Sequence, residues 1–377
     1  MTGGRRDSED ATARDHPPLG HDLPPGERER RRQRAHAAAA AMFGIEPQHR
    51  ADFAATFPDC QTPEFVELMI GLAREARSAQ PATAVGRLKL ALSAAEGADM
   101  RGREGIAAAR ALVMAELGNA YRLVGRLDLA EHALAEARRQ TDELGDREGL
   151  ARIDGHCIQL LFAQGRTQNI PPAIEVALAV AEGISRHALA RLRLVAATSV
   201  HIQDSLQAVD HFEAGLGRID ARREPRLVGV GLHGLGYRLV RVGAVDDGCY
   251  FLRRALEVAR RYGSPVDRAR LLWVTSWADW MRGSYDRAID ELEIAARRLA
   301  SLGQPLLAWA AFLDLSRALA CRGRWNAAER TALTSLEVFA SCQSPQHLSI
   351  TEIVLSEAGR RGPRSATRVA EAVEALL

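Results

Sequence analysis

Residues 111 to 145 read Ala-Leu-Val-Met-Ala-Glu-Leu-Gly-Asn-Ala-Tyr-Arg-Leu-Val-Gly-Arg-Leu-Asp-Leu-Ala-Glu-His-Ala-Leu-Ala-Glu-Ala-Arg-Arg-Gln-Thr-Asp-Glu-Leu-Gly, and this stretch decides the fold. Two apolar patterns of helical period meet at a short break near Gly125 and Arg126, which is the pattern of a helical hairpin. Gly118 and Ala130, with Ala137 one face further on, are small where the two helices must approach. Leu117, Tyr121 and Leu134 fill the space between them.

The pattern returns along the chain. With Gly118 and Gly125 as anchors, equivalent repeats begin near Ala111, Ala151, Leu189, Gly229, Ala269 and Trp309, a spacing of about 40 residues. The turn residue recurs as Gly165, Gly243, Gly283 and Gly323, where a helix end needs a residue tolerant of positive φ. Ala288 and Ala328 repeat the role of Ala130, and Ala208 does so in a repeat whose turn lacks glycine. The repeat at 151 carries an insertion, Thr167 to Pro172, which moves its small residues to Ala173 and Ala177. Weaker hairpins flank the array at 63–97, with Ala84, Leu88 and Ala91, and at 346–377, with a break at Gly362-Pro363. Both suit terminal caps. Pro265, Pro305 and Pro345 are read as lying in loops between repeats.

Leu117-Gly118 followed by Tyr121, the turn Gly125, and then Ala130, Leu134 and Ala137 resemble the tetratricopeptide repeat. The resemblance spans 63–377 and is firmest from 111 to 340. It implies an all-α fold, a right-handed α-solenoid of stacked antiparallel helical hairpins, which binds other proteins in a concave groove. Two departures matter. The usual repeat has about 34 residues, so roughly six more add about 9 Å of helix to each. The proline that usually closes the second helix is missing from most repeats. The longer repeat resembles those of bacterial regulatory and scaffolding proteins.

Composition agrees with a helical array. Ala, Leu and Arg dominate, aromatics make up 5%, and alternating β-branched runs are nearly absent, so no sheet is expected. The net charge of +2 is nearly neutral, and Lys89 is the only lysine among the cations, a skew that does not by itself imply nucleic acid. Five cysteines, Cys60, Cys157, Cys249, Cys321 and Cys342, are odd in number and never form CxxC, which fits a reduced, cytoplasmic setting. No uncharged run approaches the roughly 18 residues of a membrane span, so a soluble protein is expected. Residues 1–26 read as a disordered tail, 27–62 as a basic helix with a lead-in segment, and 63–377 as the repeat domain. The basic helix, Glu27 to Met42, reads as solvated, with attachment to an acidic surface or nucleic acid as the alternative. Regular packing is expected to start near Phe53, Phe57 and Cys60, ahead of the capping sequence Thr62-Pro63-Glu64.

Little in the sequence carries recognisable chemistry. Gly229-Val-Gly231-Leu-His-Gly234 matches a dinucleotide fingerprint literally, but here it falls in a helix and not at a strand-to-helix turn. Asp246-Asp247, after Gly243, read as a helix cap. Asp154, His156 and Cys157 form the one local cluster that could be nominated for catalysis, and neither enzyme activity, cofactor nor metal is expected. More informative are the second, fifth, ninth, twelfth and thirteenth positions of each repeat, which the resemblance turns towards the groove. They include Asn119, Arg122, Arg152, Gln159, Phe162, Arg193, His201, His233, Tyr237, Arg241, Arg270, Trp273, Trp277, Trp280, Met281 and Arg317. None of these positions is acidic, which suggests a basic, partly aromatic channel for an acidic peptide or a free carboxyl terminus. Trp273, Trp277, Trp280 and Met281 share one helix, either as groove anchors or as core. The expected function is therefore a non-catalytic interaction scaffold holding a partner peptide or protein segment. The alternative is a regulatory sensor domain that binds a signal peptide or small ligand and controls a separate effector.

Overall fold

The computed structural model describes residues 25–77, 80–101, 105–199, 205–222, 224–339 and 345–374. Nearly all of the expected tail, together with His201 and Cys342, lies outside the described residues. Every regular element among them is helical. Two lead-in helices, α1 (Pro25–Phe43) and α2 (Arg50–Thr56), precede eight hairpins. These are α3 (Pro63–Arg77) with α4 (Pro81–Asp99), α5 (Ile106–Leu123) with α6 (Leu127–Glu143), α7 (Arg147–Ala163) with α8 (Ile170–Glu182), and α9 (Arg186–Ser199) with α10 (Ser205–Leu216). They continue with α11 (Pro225–Arg241) and α12 (Val245–Tyr262), α13 (Pro265–Met281) and α14 (Tyr285–Ser301), α15 (Pro305–Cys321) and α16 (Trp325–Phe339), and α17 (Pro345–Arg360) and α18 (Pro363–Glu374).

First helices start at 63, 106, 147, 186, 225, 265, 305 and 345, so each hairpin begins 39 to 43 residues after the last. From α5 onward each start lies about one turn before the residue at which the sequence pattern places the repeat, for example Ile106 against Ala111. The added length of the repeat therefore extends the first helix. This also corrects the reading of Pro265, Pro305 and Pro345. They open α13, α15 and α17, where proline's missing N–H has no intrahelical acceptor to lose.

The turns of five hairpins use one device. At Gly125 (φ 76°) the Arg126 N–H donates to the Tyr121 carbonyl at 2.9 Å and the Gly125 N–H to that of Arg122 at 3.1 Å, a Schellman pair. The same pair recurs at Gly165, Gly243, Gly283 and Gly323, all with positive φ. In the last hairpin the left-handed position falls on Arg361 (φ 50°), one residue ahead of the expected break. Between α5 and α6 the helices touch as expected: a Cβ on Gly118 would lie 2.6 Å from Leu134 Cγ and 3.2 Å from the Ala130 carbonyl oxygen. Gly236 and Gly248 make the equivalent crossing of α11 and α12.

Helix α1 corrects the solvated reading in part. Its arginine-rich half is largely exposed, but Ala35, Ala38, Ala39 and Met42, spaced as one helical face, are buried in the core of the α3–α4 hairpin, and Arg31 lies 3.6 Å from Glu64. The first hairpin is thus covered on that side. The chain divides into two compact units, with the boundary inside α9 after Val195. Within the first unit α3 touches α5 and α5 touches α7; within the second, α11 touches α13 and α15 touches α17. Among the described residues no second helix packs comparably against the next second helix. In each unit the first helices therefore form the inner wall.

Candidate functional site

In the first unit the wall is built around a buried acid. Glu116 Oε1 accepts from Arg74 Nη2 at 2.8 Å and Nε at 3.2 Å, and Oε2 accepts from Arg77 Nη1 at 3.2 Å. Burial alone would raise this carboxyl, but Arg74, Arg77 and the adjoining His156 overcome it and hold the group far below the usual carboxylate range. Farther along α5, Arg122 donates through Nη2 and Nε to Asn119 Oδ1 at 2.8 and 3.2 Å, and Nη2 reaches Gln159 Oε1 on α7 at 3.4 Å. The structure thus brings together three residues expected in the groove, Asn119, Arg122 and Gln159. Both amides orient the guanidinium without neutralising it. Burial, with Arg77 nearby, pushes Arg122 down to about 10. Arg152 on α7 is also lowered to about 10, chiefly by burial. His156 is pushed down to about 3 by burial and by Arg77, Arg122 and Arg152, against the pull of Glu116. Arg193 is half-buried on α9, and Phe162 is exposed at the end of α7.

In the second unit His233, Tyr237 and Arg241 follow one another at single-turn intervals on α11, all half-buried, and Arg270 on α13 is exposed. Burial and Arg270 push His233 down to about 3. Burial raises the Tyr237 phenol, with Arg241 acting against it. Next to this face, two of the three indoles of the tryptophan stripe point at one carboxylate: Trp273 Nε1 and Trp277 Nε1 donate to Asp314 Oδ2 at 2.7 and 2.9 Å. The Arg317 guanidinium lies 3.7 Å over the Trp277 ring and 3.6 Å from Asp314 Oδ1. Burial raises the Asp314 carboxyl, offset in part by Arg317 and the two indoles. Trp280 makes edge contacts with Trp277 and Tyr285, and Met281 is exposed.

Two expectations need correction. Trp277 and Arg317, expected to contact a partner, are only 8% and 4% exposed because they form a knot between α13 and α15, and Asn119, also expected to contact a partner, is 5% exposed and holds Arg122 instead. The wall is also not free of acids. Glu116 and Asp314 each directly follow a position counted as inner, and a helix face about 100° wide includes them. The sequence signal for both was present, since each lies three residues before an inner-face residue, Asn119 and Arg317.

The nominated catalytic cluster comes apart. Asp154 pairs with Arg138, the Cys157 thiol is pushed up to about 11 by burial and by Asp154, and His156 is coupled to Glu116 instead. Helix α11 runs unbroken through Gly229–Gly234, and Asp246 and Asp247 lie in the first turn of α12, with Ala244 at the cap. There they oppose the positive end of the helix dipole.

Hairpins of about 40 residues, most of them turned at glycines and crossing at small residues, define a tetratricopeptide-type helical-repeat fold. Comparison with solved structures agrees. The chain is similar to a Rap protein crystallised in complex with competence and sporulation factor, with a TM-score of 0.59 at 14% identity over 82% of this chain and 89% of that one. It is also similar to a signal-transduction ATPase with numerous domains and a tetratricopeptide repeat sensor, from Pyrococcus horikoshii. There the TM-score is 0.54 at 15% identity, over 86% of this chain and 51%, about half, of that one. At these identities the likeness is one of fold. No protein-family profile matches the chain, and no curated protein matches it by sequence. No helix among the described residues is long and apolar enough to cross a membrane.

Proposed function

We propose that this protein is a non-catalytic interaction domain whose first-helix walls hold a partner peptide or protein segment, with an acidic side chain or a free terminal carboxylate of that segment seated on Arg122. The observation that carries this reading is the guanidinium itself, half-buried and gripped at 2.8 and 3.2 Å by a neutral amide. A cation held this way has already lost its rotamer freedom and part of its hydration, so a carboxylate gains a preorganised, forked donor. His233, Tyr237, Arg241 and Arg270 offer a second basic face in the other unit. A fold neighbour crystallised with a bound factor supports the class of function. Cys60, Cys157, Cys249 and Cys321 are free thiols, which fits a cytoplasmic setting.

Calorimetric titration with a hexaglutamate peptide tests the proposal. Each Arg–carboxylate hydrogen bond contributes about 1.5–3 kcal/mol, so Arg122→Glu should weaken binding by about tenfold or more, and hexalysine should not bind. Equal affinity of a folded Arg122→Glu variant would remove the proposed seat. The second neighbour, whose repeats are described as a sensor, favours a variant of this reading in which the occupied wall regulates a separate effector.

A further inference from the structure

One polar group of the first unit is left without a hydrogen-bond partner by the site described above. His156 lies in the middle of α7, one turn before Gln159, whose Oε1 meets Arg122 Nη2 at 3.4 Å, and its own Nε2 is buried without a hydrogen bond. The charged groups that act on the ring are Arg77 from α3, Glu116 and Arg122 from α5, and Arg152 from α7 itself. From α9, Leu192 and Val195 come against the adjoining Gly155, and Arg191 acts on Arg152. From α6, Arg138 is paired with Asp154. Both oxygens of Glu116 face Arg74 and Arg77, so the one carboxylate near His156 is already engaged.

We infer that His156 and Arg122 together seat one carboxylate of the acidic segment, and that seating it transfers one proton from solvent to His156 Nε2. This rests on the acidic-segment reading above and adds to it the second residue of the seat and its dependence on pH. With three arginines against one engaged acid, the local field opposes an imidazolium. A second carboxylate beside the ring reverses that field and accepts the new N–H, so Nε2 acquires the partner it lacks. Binding and protonation are then linked, and each promotes the other.

The experiment is titration of hexaglutamate at pH 7.5 and 5.5, each in two buffers of different ionisation enthalpy, so that protons taken up are counted directly. Should the bound histidine regain an ordinary pKa of about 6.5, affinity should be about tenfold tighter at pH 5.5, with close to one proton taken up. Glutamate side chains, with a pKa of about 4.3, remain ionised throughout. His156→Gln should bind without the pH dependence, and His132→Gln, at an exposed position of α6, should keep it. Ring-proton NMR of His156 in the parent reads the same protonation without any substitution. Binding that is flat with pH, or a pH dependence that survives in His156→Gln, would overturn this inference alone. No binding at either pH would take down the acidic-segment reading with it.

Discussion

Glu116→Gln is the most informative single change in the first unit, because it removes charge while keeping size. The carboxylate is 5% exposed, and its partners Arg74 and Arg77 are 28% and 35% exposed. The amide oxygen can still accept from Arg74, but the NH2 group would face Arg77 Nη1, donor against donor. Removing one member of a buried ion pair costs about 3–5 kcal/mol, and the partial exposure of the arginines argues for the lower end, about 3 kcal/mol. For a unit of this size that is a fall in Tm of about 6–12 °C. The assay is urea unfolding followed by far-UV circular dichroism, with calorimetry for Tm. The pH dependence supplies a second check. Glu116 has a folded pKa below its ordinary value of 4.5, so its contribution is present above that value and is lost as pH falls through the folded one. Parent and variant should therefore differ fully at pH 7 and converge below about pH 4.5. A variant within about 0.5 kcal/mol of the parent at pH 7 would refute the view that this acid holds the wall together.

Other outcomes follow from the same structure. Gly118→Leu places a side chain where Cβ alone would be 2.6 Å from Leu134, and should destabilise by about 3 kcal/mol, read by thermal melt; a melt matching the parent would contradict the crossing. Asp314→Ala strips the acceptor from two indoles and the nearby carboxylate from the buried Arg317, and should cost about 3–5 kcal/mol with a red shift of tryptophan emission; an unchanged spectrum would mean the knot does not order those rings. His156 and His233 are both lowered from 6.5 to about 3, so folding favours their neutral forms. Their contribution is complete above about pH 6.5 and declines on acidification by up to about 1.4 kcal/mol per pH unit each. Urea midpoints should fall between pH 6.5 and 5, above the range where Glu116 titrates, and His156→Gln with His233→Gln should flatten that slope.

What the sequence disclosed depended on how local each signal was. A positive φ at Gly243 or Gly283 is a property of one residue, and clearance at Gly118 concerns one pair of facing positions, so turns and crossings could be read directly. The proline positions could not, since Pro265 is equally at home in a loop or at the first residue of a helix, and only the helix start distinguishes them. The buried face of α1 escaped notice because it is made of Ala35, Ala38 and Ala39, which carry little apolar signal and gain their burial from how closely another helix can approach. The groove face was hardest. Each residue turns the helix by about 100°, so a face assigned by fixed positions excludes the neighbour that lies at its edge.

That edge is where the wall's electrostatics are settled. An array whose cations are almost all arginine cannot line a half-buried face with guanidinium groups alone, because each is desolvated there and repelled by the next, as the lowered values of Arg122 and Arg152 record. Internal acids answer this at two points, Glu116 for Arg74 and Arg77, and Asp314 for Arg317. Arg122 is answered differently, by two amides that fix its direction and leave its charge. Replacing Asn119 with Asp would supply the missing acid from within. Asn119→Asp should therefore stabilise the first unit by about 1–2 kcal/mol, while weakening hexaglutamate binding at least tenfold. Stability and binding moving together in that variant would show that Arg122 is already compensated and that the seat lies elsewhere.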